Sequence, residues 1–223
     1  MTLRELLAHL SPGLLSTIDH PALEKTVTGL CTNSTACQPG DLFVGMPGTR
    51  MDGGEFWPSA LGQGAIAAIL SPNAIQNQPA TDNLPLLIPM DDMATVCGEL
   101  AAAFYNYPGK TLNLVGVTGT NGKTTTTHLI EHFLNAASVP TGLLGTLYTR
   151  WPGHQETAVH TTPFPVELQR ELIKVAEAGC QHAIMEVSSH ALAQKRVWGR
   201  AFEVAVFTNL TQDHLDYHKT LNN

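Results

Sequence analysis

The sequence predicts an α/β protein of two parts: a small N-terminal α/β domain over residues 1–108 and a P-loop-type, mainly parallel sheet domain over residues 109–223. Two observations carry this. Short apolar runs bounded by Gly, Pro and Asp alternate with amphipathic stretches, the rhythm of strands and helices in a sheet covered on both faces. In the second half, one such run leads directly into Gly-Thr-Asn-Gly-Lys-Thr, a loop chemistry that belongs between a strand and a helix.

Taken in order, the N-terminal stretch has apolar residues at helical spacing, interrupted by Glu5 and His9. Residues 42–44 and 65–70 read as buried strands, and residues 84–88 as a third, weakened by Pro85. Asp91 and Asp92 open a helix over 93–105, with Val96, Leu100 and Phe104 on one stripe, and Pro108-Gly109 end it at the domain boundary. Beyond that, 112–118 is a strand, and Leu129, Ile130, Phe133, Leu134 and Ala137 are expected on the buried face of the next helix. A strand over 142–149 follows. A helix over 163–178 then carries Leu168, Leu172, Val175 and Ala176 inward, and Gly179 stops it. Strands over 183–187 and 204–208 lead to a polar tail with no clear closing helix.

Composition excludes several function classes. With 223 residues, 43% hydrophobic and 14% charged, the chain can bury a core and is not a disordered tail. A net charge of −7 provides no basic field, so neither nucleic acid nor an anionic membrane is expected as a partner. An anionic ligand must be gripped by a few placed donors. Cys31, Cys37, Cys97 and Cys180 show no Cys-x-x-Cys pair and are expected to be reduced, mostly buried thiols. No secretory leader is read at the N-terminus and no run approaches the ~20 apolar residues of a membrane-spanning helix, so a soluble, cytoplasmic protein is expected.

The segment 116–125, Gly-Val-Thr-Gly-Thr-Asn-Gly-Lys-Thr-Thr, has the parts of a triphosphate cradle. Glycines let successive backbone N–H groups face the anion, and the following helix adds its N-terminal dipole. Lys123 supplies a mobile charge for the β/γ oxygens and Thr124 a hydroxyl for Mg²⁺. The usual spacing G-x-x-x-x-G-K-[ST] would place glycine where this chain has Val117, with Gly116 and Gly119 on either side. Glu186 closes a strand whose carboxyl end should lie beside that loop, where a hard cation needs oxygen ligands. Ser188, Ser189 and His190 follow it and either face substrate or cap locally. Asn209, Asp213 and His214 can reach the same crevice from the next strand. His9, His20, His128, His132, His154 and His182 receive no role.

Together, Thr-Gly-Thr-Asn-Gly-Lys-Thr-Thr, Met-Glu-Val-Ser-Ser-His and Phe-Thr-Asn-Leu-x-x-Asp-His-Leu-Asp-Tyr-His resemble the Mur ligases of peptidoglycan synthesis, over nearly the whole chain. In the first half, Pro-Gly-Asp-Leu-Phe-Val-Gly-Met-Pro-Gly-Thr-Arg-Met-Asp-Gly resembles that family's UDP-binding region. The string Met-Glu-Val-Ser-Ser-His-Ala-Leu-Ala-Gln-Lys-Arg-Val favours the member that adds the third residue.

The resemblance implies an ATP- and Mg²⁺-dependent amide ligase joining meso-diaminopimelate or L-lysine to UDP-N-acetylmuramoyl-L-alanyl-D-glutamate through an acyl phosphate. It implies catalytic roles for Lys123 and His214. ATP contacts fall on Gly119, Thr120, Asn121, Gly122, Lys123, Thr124, Thr125 and Asn209, and metal contacts on Thr124, Glu186 and His214. Contacts to the UDP end fall on Thr32, Ser34, Thr49, Arg50 and Met51. Contacts to the muramoyl-dipeptide fall on His160, Thr161, Thr162, Ser188, Gln194 and Arg196.

Three departures accompany it. Asn33-Ser34-Thr35 stands where the family usually has Asp-Ser-Arg, with Arg50 a candidate substitute. His160 stands where asparagine often precedes the Thr-Thr pair. The family's carbamoylated lysine and C-terminal domain lie beyond residue 223, so the resemblance implies an N-terminal fragment without turnover of its own, and a monomer is expected. Two competing readings remain: a relative such as the dipeptide-adding muramyl ligase or a folylpolyglutamate synthase, and a non-catalytic binding module for UDP-sugar or nucleotide. The UDP-type first domain argues against the folate enzyme, and Met-Glu-Val-Ser-Ser-His against the dipeptide-adding one.

Overall fold

Apolar runs too short to be helices pair into two separate sheets. In the computed structural model, residues 1–10, 13–48, 50–75, 85–199 and 201–220 are described, and they divide into two units, Met1–Asn106 and Tyr107–Asn223. No helix among the described residues is long and apolar enough to cross a membrane.

The first unit opens with helix α1 (Leu3–Leu7), where the Thr2 hydroxyl accepts from Glu5 N–H and the Glu5 carboxylate accepts from Thr2 N–H, a reciprocal cap. It continues through β1 (Gly29–Cys31), β2 (Asp41–Val44), α2 (Trp57–Gly62), β3 (Ala67–Leu70), α3 (Pro72–Ile75), β4 (Leu87–Pro89) and α4 (Met93–Phe104). The strands pair in parallel in the order β1-β2-β3-β4. All four residues of β2 and of β3 are buried, and apart from Asp41 they are apolar, as a sheet covered on both faces requires. Asp92 caps α4 by accepting from Thr95 N–H, and Val96 and Leu100 are buried as expected. The third strand of the sequence reading lies at 87–89 rather than 84–88; residue 84 is outside the described residues.

The second unit runs β5 (Asn113–Thr118), α5 (Lys123–Ala136), β6 (Thr141–Leu144), β7 (Tyr148–Trp151), β8 (His154–Thr157), α6 (Pro165–Glu177), β9 (His182–Glu186), α7 (Ser189–Ala193), β10 (Val204–Phe207) and α8 (Leu215–His218). Its sheet order is β10-β5-β9-β6-β7-β8. The first four strands are parallel, and β7 and β8 add an antiparallel hairpin at one edge. On one face, Leu168, Leu172 and Val175 of α6 pack on Leu114, Leu144, Ala183 and Met185, each of the three contributing roughly 2 kcal/mol of apolar burial. On the other face, Ile130 and Leu134 of α5 meet Val115, Leu143 and Ile184.

Three sequence expectations are corrected here. The single strand over 142–149 is two strands joined by a turn at residues 145–147, where Gly145 N–H donates to Tyr148 O. Leu129 and Phe133 are exposed, at 50% and 66%, because they lie about 100° around α5 from the Ile130/Leu134 stripe that meets the sheet. The thiols are not all reduced: Cys31 and Cys37 are disulfide-bonded, the turn between them bringing their Cα atoms to 5.5 Å. Cys97 and Cys180 are buried and form no disulfide.

Candidate active site

β5 delivers the chain to Gly119, and α5 begins four residues later at Lys123. Gly119 adopts φ +126°, and a side chain there would strike the Thr208 hydroxyl and the Asn209 backbone. The loop is therefore wedged against the segment that follows β10. The Thr208 hydroxyl sits 2.7 Å from Asn121 O, and the Asn209 side chain accepts from Asn121 N–H and donates to Asn121 O, both at 3.0 Å. Asn209 O also accepts from Thr120 N–H at 2.9 Å. Asn209 thus braces the loop from behind. This narrows the expectation that successive loop amides face the anion: those of Thr120 and Asn121 are turned to Asn209, while the first turn of α5 still offers its N-terminal amides. Thr125 lies exposed on that turn. Lys123 folds back, its Nζ donating to Gly119 O at 2.8 Å and Thr120 O at 3.0 Å, so the ammonium hangs over the loop on two neutral carbonyls.

Glu186 ends β9, the strand next to β5, and is 1% exposed. Its carboxylate accepts from the Thr124 hydroxyl (2.8 Å), Thr146 N–H (2.7 Å) and the Thr146 hydroxyl (3.0 Å). These partners are all neutral. A buried carboxylate beside a hydroxyl, with no cation in its hydrogen-bond shell among the described residues, is a donor set suited to a hard divalent ion. Gly145 makes the approach possible, since a Cβ there would lie 2.6 Å from Glu186 Oε1. Thr146 also lies 3.1 Å from Thr161 Oγ1. A carboxylate can only accept, so the Thr146 hydroxyl gives its hydrogen to Glu186 and its oxygen accepts from Thr161. Thr146 is absent from the sequence reading because it falls inside what read as one continuous strand.

Around the same strand end, Thr162 is fully buried. Its hydroxyl donates to Glu186 O and accepts from Ser188 N–H, at 2.9 and 3.0 Å. Ser188 Oγ caps α7 by accepting from Ala191 N–H, so the local capping role is present. Arg196 donates from one arm to Thr162 O (2.8 Å) and from Nε and the other arm to Gln194 Oε1 (2.9 and 2.7 Å). Its guanidinium lies over the Phe164 ring at 3.8 Å, and His160 meets the same ring edge-on. Burial pulls Arg196 down from the ordinary arginine value, though an arginine remains charged at any physiological pH. Thr161, Thr162, Ser188, Gln194 and Arg196 thus form one cluster attached to Glu186, with His160 reaching it through Phe164.

His214 is exposed at the start of α8, with Nε2 3.6 Å from Asp213 Oδ2, and its ring meets that of His190. Burial, with the His214 and His218 rings close by, holds His190 below the ordinary histidine range. Lys123 and His214 line one cavity of about 180 Å³, with Gly119, Thr120 and Ser188 on its wall. No hydrogen bond joins His214 to Thr124 or Glu186 among the described residues.

In the first unit, Thr32 and Ser34 follow the carboxyl end of β1, and Arg50 and Met51 follow that of the neighbouring β2, the end at which open parallel sheets bind ligands. Arg50 and Met51 are exposed and Ser34 is buried at 8%. Thr49 lies outside the described residues.

Comparison with known proteins follows this division. Residues 26–105 match the Mur ligase family catalytic domain, and residues 117–223 match the Mur ligase middle domain. The chain belongs to the Mur ligase family. Among curated Mur ligases, it is 60% identical over 223 residues to the UDP-N-acetylmuramoyl-L-alanyl-D-glutamate–2,6-diaminopimelate ligase of Thermosynechococcus vestitus, a match covering 99% of this chain and 43% of that protein. It is 63% identical over 203 residues to the Synechocystis sp. protein of the same name, covering 91% of this chain and 40% of that one. A solved structure of a ligase of that name superposes with a TM-score of 0.78 at 27% identity, covering all of this chain and 42% of the other. The MurF ligase of Thermotoga maritima in complex with ADP shares the fold, with a TM-score of 0.55 at 22% identity over 88% of this chain and 40% of its own. The chain therefore spans less than half the length of the curated Mur ligases it matches.

Proposed function

We propose that this chain supplies the UDP-muramoyl-dipeptide and ATP sites of an ATP-dependent ligase that joins 2,6-diaminopimelate to UDP-N-acetylmuramoyl-L-alanyl-D-glutamate. The single observation that carries the reading is the hydrogen bond from Thr124 of the phosphate loop to the buried Glu186. It ties the nucleotide loop to the strand end on which Thr161, Thr162, Ser188, Gln194 and Arg196 gather. The names of relatives up to 63% identical support the choice of diaminopimelate. Cytoplasmic location and monomeric state belong to the same proposal.

The chemistry is a phosphoryl transfer followed by an acyl transfer. The dipeptide carboxylate attacks the γ-phosphorus of ATP, ADP leaves, and the incoming amine displaces phosphate from the acyl phosphate. The protein's task is positioning and charge neutralisation. Lys123 exchanges its two backbone carbonyls for phosphate oxygens when nucleotide enters. The first-turn amides of α5 receive the phosphates, while Asn209 keeps the loop in shape. Arg196, held by Thr162 and Gln194, is an oriented cation for the dipeptide's carboxylates. Thr124 and Glu186 would hold Mg²⁺, with His214 a candidate for a second ion; the metal's contribution is to neutralise charge on the transferring phosphoryl group. In the first unit, Thr32, Ser34, Thr49, Arg50 and Met51 form the UDP end, with Arg50 providing the cation that Asn33-Ser34-Thr35 lacks.

Calorimetry on the 223-residue chain tests this. ADP with Mg²⁺ and the UDP-muramoyl-dipeptide should each bind, and Lys123→Met should remove the first and spare the second. ADP affinity unchanged in Lys123→Met, or failure of the wild-type chain to bind the UDP-muramoyl-dipeptide, refutes the assignment.

A further inference from the structure

The disulfide lies in a loop of the first unit that combines a buried serine with two sulfurs. Cys31 ends β1, Cys37 closes the turn six residues later, and Ser34 sits between them. Asn33 organises the turn: its side chain accepts from Thr35 N–H and the Thr35 hydroxyl, and its carbonyl accepts from Ala36 N–H. That carbonyl also lies 2.9 Å from Cys31 Sγ and 3.6 Å from Cys37 Sγ. The turn thus has two chemical forms. As a dithiol, both S–H groups have the Asn33 carbonyl within reach; as a disulfide, both donors are gone and the ring of residues 31–37 is closed. In the disulfide form Ser34 is buried, at 8% exposure. Closing so short a loop removes little chain entropy from the unfolded state compared with a long one, and Cys97 and Cys180 form no disulfide, so this is not a disulfide-built scaffold.

We propose that Cys31 and Cys37 are a redox-active pair that tunes the UDP end of the substrate site, which binds ligand more weakly as the disulfide than as the dithiol. This rests on the placing of the UDP end at Ser34. The reaction partner is a dithiol reductant. One of its thiolates attacks a sulfur of the pair, the Cys31–Cys37 bond breaks, and the released cysteine takes a proton. Its second thiolate then resolves the mixed disulfide, releasing the other cysteine, which is protonated in turn. The pair gains two electrons and two protons, and the reductant becomes a disulfide. Cys31, at 7% exposure against 2% for Cys37, is the more accessible target.

The test is calorimetry of the 223-residue chain with the UDP-muramoyl-dipeptide, after oxidation and after reduction with dithiothreitol. A chelator is present throughout, because both sulfurs and an Asp41 oxygen lie within 4.8 Å of one another and the reduced form could otherwise hold a thiophilic cation. Reduction should tighten binding at least ~5-fold, the lower end of common two-state couplings. It should raise the thiol count of the unfolded protein from two to four, as the four cysteines and one disulfide require. Cys37→Ser should bind like the reduced form under both conditions, and ADP affinity should not change, which shows that the second unit is intact. Equal affinity in the two forms, tighter binding after oxidation, or four thiols after oxidation overturns the proposal. No binding in either form overturns it as well, and that outcome alone also removes the reading of this loop as the UDP end.

Discussion

Replacing Thr146 by valine keeps the shape of the side chain and the backbone N–H but deletes the hydroxyl that reaches Glu186. The carboxylate then loses one of three side-chain and backbone donors, at 1% exposure where water does not replace it. A hydrogen bond to a charged, buried acceptor contributes about 2 kcal/mol, so the second unit should lose about that much stability in a urea titration. The functional cost is separate. With the hydroxyl gone, the Glu186 oxygen that faces Thr124 keeps the Thr124 hydroxyl as its one remaining donor among the described residues and is less firmly oriented. Groups that orient metal ligands typically carry about 10-fold in metal affinity. Mg²⁺-dependent ADP affinity, measured by calorimetry, should fall about 10-fold in Thr146→Val, while binding of the UDP-muramoyl-dipeptide to the first unit's loops persists. Thr146→Ser retains the hydroxyl and should restore the metal dependence despite its missing methyl. Thr146→Val with unchanged Mg²⁺ dependence, or Thr146→Ser with the same defect as Thr146→Val, would show that Thr146 does not position Glu186.

Two further outcomes follow from the fold. Glu131 is buried on α5 and is paired with Arg150 of β7, whose guanidinium it holds above its ordinary value and whose side chain keeps 28% exposure. Glu131→Gln should destabilise by about 2 kcal/mol, below the ~3–5 typical of a fully buried pair because water still reaches Arg150, and a change under 0.5 kcal/mol in urea unfolding would contradict the pairing. At the N-terminus, the Thr2 backbone N–H and then its hydroxyl lower the Glu5 carboxyl below its ordinary 4.5. A depressed carboxyl stabilises α1 at pH above the unfolded value and loses that contribution as pH falls through the folded value. An NMR titration of the Thr2 and Glu5 amides should therefore show an inflection below pH 4.5 that Glu5→Gln abolishes.

What was legible locally was what local chemistry specifies. The loop from Gly119 to Thr124 announces itself because a glycine-rich turn followed by Lys-Thr has few other uses, and the Ile130/Leu134 and Leu168/Leu172/Val175 stripes follow helical spacing. The turn at residues 145–147 was not legible. Its determinants are a carboxylate forty residues away, which leaves no room for a Cβ at Gly145 and binds the Thr146 amide, while the flanking residues are as apolar as a continuous strand. Leu129 and Phe133 misled for a related reason: apolar residues at helical spacing do not reveal which of two adjacent stripes meets the sheet. The Cys31–Cys37 bond had no Cys-x-x-Cys spacing to mark it and depends on the turn set by Asn33. The bracing role of Asn209 required β10 to lie beside β5, a pairing of residues some ninety positions apart.

The central claim is that the phosphate loop and Glu186 share one metal-assisted nucleotide site. ADP titrated into wild-type and Glu186→Gln protein, with and without Mg²⁺, tests it most directly. The account predicts that Mg²⁺ tightens ADP binding to the wild type at least ~10-fold and does nothing for the variant, whose Mg²⁺-free affinity matches the wild type's. Full Mg²⁺ enhancement in Glu186→Gln, or a wild-type chain that binds no ADP, would contradict it.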